Sequence, residues 1–129
     1  MTENKTLTHN QRLGRWGEEA ARQYLLAQGL EIVNSNVRTA YGEIDVLARQ
    51  GEVLVFCEVK TRRTRTFGHP EVAVTPKKQE HMRNAALDYL QTHNLLDSPW
   101  RIDVLAIEKD SQDIKNPVKV TWFQNALSG

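Results

Sequence analysis

The chain has 129 residues, 40% of them hydrophobic, enough for one compact domain with a modest core that needs no disulfide or structural metal. Its one cysteine, Cys57, excludes an internal disulfide and any cysteine-pair metal motif. A formal net charge of +1 excludes a strongly basic body, so the charge distribution carries more information than its sum.

The first eleven residues are polar and lack the apolar centre of a signal peptide, and no later run approaches the ~20 apolar residues of a membrane span. A soluble, cytoplasmic protein with no membrane contact is the expectation. Residues 1–7 are expected to be disordered. Thr8 followed by Gln11 has the form of a capping box and opens a predicted helix that runs to about Gln28, where Gly29 stops it. Leu13, Trp16, Ala20, Tyr24 and Ala27 recur at helical spacing as its buried stripe, flanked by Ala21 and Leu25. Glu18 lies at the margin of that stripe. On spacing alone it reads as helix surface.

Residues 30–37 form the first predicted strand, weakened at its end by Asn34-Ser35-Asn36, and residues 38–41 a turn. The next two runs, Gly-Glu-Ile-Asp-Val-Leu-Ala from Gly42 and Glu-Val-Leu-Val-Phe-Cys-Glu-Val-Lys-Thr-Arg-Arg from Glu52, alternate as strands do, with Gln50-Gly51 as a tight loop between them. That loop pairs Arg49 with Glu52, sets Glu43 opposite Glu58 and leaves Asp45 diagonal to Glu58, about 7–8 Å away at the backbone. Glu58 and Lys60, two apart, share a face. Residues 53–57 are apolar throughout, as in a central strand covered on both sides. Carboxylates and an ammonium at the end of such a strand are costly to bury unless paired or bound to a cation. Magnesium suits them, since it takes hard oxygen ligands from one or two carboxylates and from substrate phosphates, and manganese can substitute. Asp45 and Glu58 are therefore the expected ligands, with Lys60 placed to add positive charge beside a phosphate or its attacking water. Glu43 reads either as an outer ligand or as the partner of a nearby arginine.

Residues 61–74 are expected to be a long polar loop, with Arg62, Arg63 and Arg65 directed at a nucleic-acid backbone. Thr75 as N-cap and Pro76 at the first position begin a second helix that continues to about His93. Met82, Ala85, Ala86, Leu87, Tyr89 and Leu90 form its expected buried side. Lys77 and Lys78 lie in its first turn, where the helix dipole also favours a phosphate. From Lys60 to Arg83, seven basic residues face Glu71 and Glu80, a local charge of +5 beside the acidic hairpin. Residues 100–107 form a further strand, in which Asp103 reads as a partner of Arg101 or a sheet-end hydrogen bond as readily as a ligand. Residues 108–117 read as a loop, 118–123 as a final edge strand and 124–129 as a tail.

An acid followed by acid-any-lysine on neighbouring strands resembles the PD-(D/E)XK nuclease superfamily. The wider string is more specific: Gly14-x-x-Gly17-Glu18, Gly42-Glu43-Ile44-Asp45, Phe56-x-Glu58-Val59-Lys60-Thr61-Arg62, Phe67-Gly68 and Arg101-Ile102-Asp103. Over most of the chain these motifs resemble the YraN family of small bacterial proteins, described as candidate endonucleases similar to archaeal Holliday-junction resolvases. The resemblance implies a single α/β domain of restriction-endonuclease-like fold, in the order α-β-β-β-α-β-β with a mixed central sheet flanked by helices. It also implies a metal-dependent endonuclease acting on DNA, structured or branched DNA included, and admits a homodimer. Related nucleases contribute an acid from the first helix, which makes Glu18 a catalytic candidate beside Asp45, Glu58 and Lys60. The alternative is an accessory protein that binds nucleic acid on the same fold without catalysis. A third reading is a scaffold for a partner protein, with the acids and Lys60 as an ordinary salt-bridge cluster.

Overall fold

The structure, a computed structural model, describes residues 6–64, 74–110, 112, 114, 115 and 117–127. The expectations for the first five residues, for Arg65, Phe67 and Gly68, and for the last two residues fall outside this set. The elements run α1 (His9–Ala27), β1 (Glu31–Thr39), β2 (Gly42–Gln50), β3 (Val53–Thr64), α2 (Pro76–Thr92), β4 (Trp100–Asp110) and β5 (Val118–Phe123). The strands form one mixed sheet in the order β1-β2-β3-β4-β5, antiparallel except for the parallel pair β3 and β4 that α2 connects. This is the expected single α/β domain, consistent with a restriction-endonuclease-like fold.

Both helices begin where their caps dictate. The Thr8 hydroxyl accepts from the Gln11 amide at 3.1 Å while the Gln11 side chain accepts from the Thr8 amide at 2.9 Å, and Thr75 caps Lys78 at 3.2 Å. Gly29, at φ +89°, ends α1 in the left-handed region that glycine enters without penalty. The buried line of α1 differs from the expected one. Gly17, Ala21 and Leu25 are buried, Leu13, Trp16, Ala20 and Tyr24 are half-buried, and Ala27 is exposed. A stripe drawn through large side chains overlooks Gly17, whose backbone lies against Thr61: a Cβ there would fall 2.7 Å from the Thr61 Cβ.

The β2–β3 turn also departs from expectation. Gln50 pairs with Val53 and Arg49 with Leu54, so the two-residue loop is Gly51-Glu52, with Gly51 at φ +59° in the first loop position. The register therefore slides by two residues. An even slide preserves the expected faces along the paired stretch, so Leu47 meets Leu54 and Phe56 on the α2 side.

The pleat sorts the core into two layers. Val55 and Cys57 of β3 join Val46, Ala48, Leu105 and Ile107 beneath Ala21 and Leu25 of α1. On the other face Leu54 and Phe56 meet Leu47, Ile102, Ala85, Ala86 and Leu90 on the α2 side. Burial on both faces explains the unbroken apolar run of β3, and it raises the Cys57 thiol well above its ordinary range. Leu87, expected inside, is 41% exposed. Residues 61–64 are strand rather than loop, paired from Thr61–Ile107 to Thr64–Asp110, and β4 accordingly continues through Glu108 and Asp110, both buried. The expected tail does not start at residue 124: the Ala126 amide donates to the Ile102 carbonyl at 2.9 Å and Leu127 is buried in the α2-side core. Among the described residues, no helix is long and apolar enough to cross a membrane.

Candidate active site

The β2–β3 ladder is regular from Gln50–Val53 to Val46–Cys57, and the next residues along it are Asp45 and Glu58. Here the acid takes over from the backbone: Asp45 Oδ2 accepts the Val59 amide at 2.8 Å. Asp45 and Glu58 both line an open cleft of about 440 Å³ between the rim of the hairpin and the first turns of α2. Tyr41, Glu43, Thr75, Lys77, Lys78 and His81 complete its polar wall.

The acids fall into two groups. Oxygens of Glu18, Glu43 and Asp45 lie within 4.8 Å of one another. Glu18 comes from α1, and Gly17 beside it explains how: without a side chain, that turn of the helix can press against Thr61 of β3 and carry the next residue to the sheet rim. Glu58 has a different environment. Its Oε1 lies 3.3 Å from Lys60 Nζ and 3.1 Å from Lys78 Nζ, so one carboxylate is shared by an ammonium from β3 and one from α2.

Burial, followed by the negative charge of Glu58 and then of Glu18 and Glu43, pushes the Asp45 carboxyl up to about 7, against the lowering effect of the Val59 hydrogen bond. Lys60 is lowered from its ordinary range, chiefly by burial and by the neighbouring Lys78. The centre is thus an oxygen-rich group that, among the described residues, forms no salt bridge, beside a carboxylate shared by two cations. A hard divalent cation matches the first group in both donor type and charge.

Other sequence-predicted residues are distributed by the pleat. Lys77 and Lys78 stand at the cleft, as the position of α2 dictates. Arg62 donates to Glu108 Oε2 at 2.8 Å, and Glu108 is fully buried. Arg63, one residue on, lines a recess on the opposite face with His9, Arg12, Trp16 and Lys109. Asp103 is structural: it accepts from Arg101 Nε at 3.0 Å, Trp122 Nε1 at 2.9 Å and the Asn125 amide at 2.8 Å.

Glu43 joins Glu18 and Asp45 in the oxygen group, and its Oε1 accepts from Asn36. Asn36 is a residue the sequence reading missed. Its Nδ2 donates to Glu18 Oε1 and to Glu43 Oε1, each at 2.9 Å, from a φ of +51° inside β1. The signal was present in Asn34-Ser35-Asn36, because asparagine tolerates the left-handed region better than other non-glycine residues. From the sequence alone, the same three residues signal only a weak strand end.

The profile of Uncharacterised protein family UPF0102 matches residues 17–107, a span that contains every side chain of both acid groups and both lysines. A UPF0102 protein of Geobacter sulfurreducens is 47% identical over 105 residues, covering 81% of this chain and 82% of that one. One from Desulfitobacterium hafniense is 38% identical over 117 residues, covering 90% and 96%. One from Rhodococcus jostii is 46% identical over 101 residues, covering 78% and 86%.

Proposed function

Because the chain belongs to family UPF0102, the YraN family of the motif resemblance, we propose that it is a metal-dependent nuclease that hydrolyses phosphodiester bonds in DNA, structured or branched DNA included. The observation that carries this reading is the meeting of Glu18, Glu43 and Asp45 within 4.8 Å, next to a carboxylate that holds two lysines at a cleft.

Asp45 is the central ligand in this reading, with Glu18 and Glu43 beside it and Glu58 across the ladder. Magnesium, or manganese in its place, would supply Lewis acidity to the scissile phosphate. The protein supplies the rest. The α2 N-terminus, with Lys77 and Lys78, attracts the DNA backbone into the cleft. Lys60 and Lys78 exchange Glu58 for phosphate oxygens, where their charge opposes the negative charge that develops as the bond breaks. Glu58, released from its lysines, then becomes available as a ligand with Asp45. Burial and the neighbouring Lys78 lower Lys60 from its ordinary range, which suits a charged group held ready to orient water at the phosphate.

A second reading is favoured by one specific feature, the neutralisation of Glu58 by both lysines. In that reading the protein binds nucleic acid on the same fold without catalysis. Magnesium titration separates the two. The enzyme reading expects ion binding that disappears in Asp45→Asn and Glu58→Gln; the accessory reading expects salt-sensitive DNA affinity with no ion bound.

A further inference from the structure

The face of the sheet that carries α1 breaks two local rules of charge placement around three cations, Arg12, Arg63 and Lys109. Arg63 of β3 and Lys109 of β4 are register partners in the parallel ladder, so two like charges are neighbours where opposite charges would stabilise the sheet. One step back along the same ladder the rule is obeyed, with Arg62 beside Glu108 at 2.8 Å. The first turn of α1 contains no acidic residue, and Arg12 follows it at the end of the helix whose dipole favours negative charge. The recess of about 400 Å³ into which Arg12, Arg63 and Lys109 open, with His9 and Trp16, has no carboxylate among its lining residues.

Among the described residues, Arg22, Arg49, Lys60, Arg62, Lys78 and Arg101 each pair with an acid, whereas Arg12, Arg63 and Lys109 do not. Lys109 instead lies 4.9 Å above the ring of Trp16, which fixes its position without cancelling its charge. Such an arrangement costs the free protein stability, and conflicts of this kind collect at functional sites. The added negative charge of a phosphate backbone relieves both conflicts at once.

We infer that this recess is a second DNA-backbone site, on the opposite side of the sheet from the cleft of Lys77 and Lys78. This rests on the nuclease reading above and extends it, because the DNA would be held on both faces of the sheet around the acid site. The Trp16 ring is half-buried and covered by Lys109, so the contact is with phosphates rather than with a stacked base.

The test is the triple variant Arg12→Gln, Arg63→Thr, Lys109→Gln, measured as full-length protein against duplex and four-way DNA across a salt series in EDTA. The expected result is weaker binding and a log K against log salt slope smaller by about 2–3, since each lost phosphate contact removes about 0.9. Arg63→Thr alone is expected to raise the melting temperature of the DNA-free protein, which a purely structural arginine would not do. Unchanged slope and affinity in the triple variant, with wild-type DNA binding intact, overturns the second site while leaving the nuclease reading standing. Absence of DNA affinity in the wild-type chain at low salt overturns both.

Discussion

The carboxylate of Asp45 accepts the backbone amide of Val59 at 2.8 Å, and this bond continues the β2–β3 connection past its last ladder pair, Val46–Cys57. One residue therefore serves both the sheet and the acid group. Its carboxyl sits at about 7 in the folded chain and in the ordinary carboxylate range when unfolded, so between about pH 4 and 7 the folded state holds the extra proton. Stability of the ion-free protein accordingly falls as pH rises through that window. Asp45→Asn should flatten this dependence and gain on the order of 1–3 kcal/mol at pH 8, from about 1.4 kcal/mol per unit less the weakened Val59 bond. Urea denaturation in EDTA at pH 5 and pH 8 checks this; a variant less stable than wild type at pH 8 contradicts it.

Gly17 sets how closely α1 approaches β3. Gly17→Ala gains about 1 kcal/mol of helix propensity but forces a methyl into the Thr61 side chain, at about 1–3 kcal/mol for overpacking. The net expectation is destabilisation, removed in the double variant Gly17→Ala, Thr61→Gly relative to Thr61→Gly alone. Additive effects in that thermodynamic cycle would show that the two residues do not touch.

Arg62, a candidate DNA contact from the sequence, also partners the fully buried Glu108. Arg62→Ala should cost roughly 1–3 kcal/mol, because it strands a buried carboxylate, with the exposure of the arginine keeping the loss below that of a fully buried pair. Arg62→Ala with Glu108→Leu should recover most of that loss. DNA affinity per folded molecule, read by titration at fixed salt, should change less than in Lys77→Ala, Lys78→Ala.

Asp103 shares a five-residue string with Asp45, Ile-Asp-Val-Leu-Ala, but not its role. With Arg101, Trp122 and Asn125 around it, Asp103→Ala leaves a largely buried guanidinium and two further donors without their partner and should cost about 2–4 kcal/mol. Trp122 fluorescence should shift in the same variant. Divalent-ion binding by the folded fraction should not.

The same string in two strands shows what the sequence reveals and what it withholds. Alternation located β2 and β3 and assigned their faces, because burial on a pleated sheet leaves a period of two; β4 was legible as a strand without a face. It could not separate a rim acid from a core acid, since that depends on which strands lie beside each. Caps located both helices, Thr8 with Gln11 and Thr75 with Pro76, because those signals are local. The loop Gly51-Glu52 was misplaced by one residue, as Gly51 fits either position of a tight turn. The grouping of Glu18 with Glu43 was the hardest part to foresee. It depends on a glycine whose role is to have no side chain, and on Asn36, whose left-handed backbone resembles a strand break in the sequence.

In the proposed reaction Asp45 and Lys60 act together in phosphodiester cleavage. The most direct measurement is a cleavage panel of linear, nicked, flapped and four-way DNA in magnesium or manganese, comparing wild type with Asp45→Ala and Lys60→Ala. The account predicts metal-dependent product from at least one substrate with wild type, and a loss of at least about 100-fold in both variants, whose circular dichroism remains native. Equal cleavage by wild type and both variants, or no cleavage of any substrate by a wild-type protein that binds the ion, would contradict it.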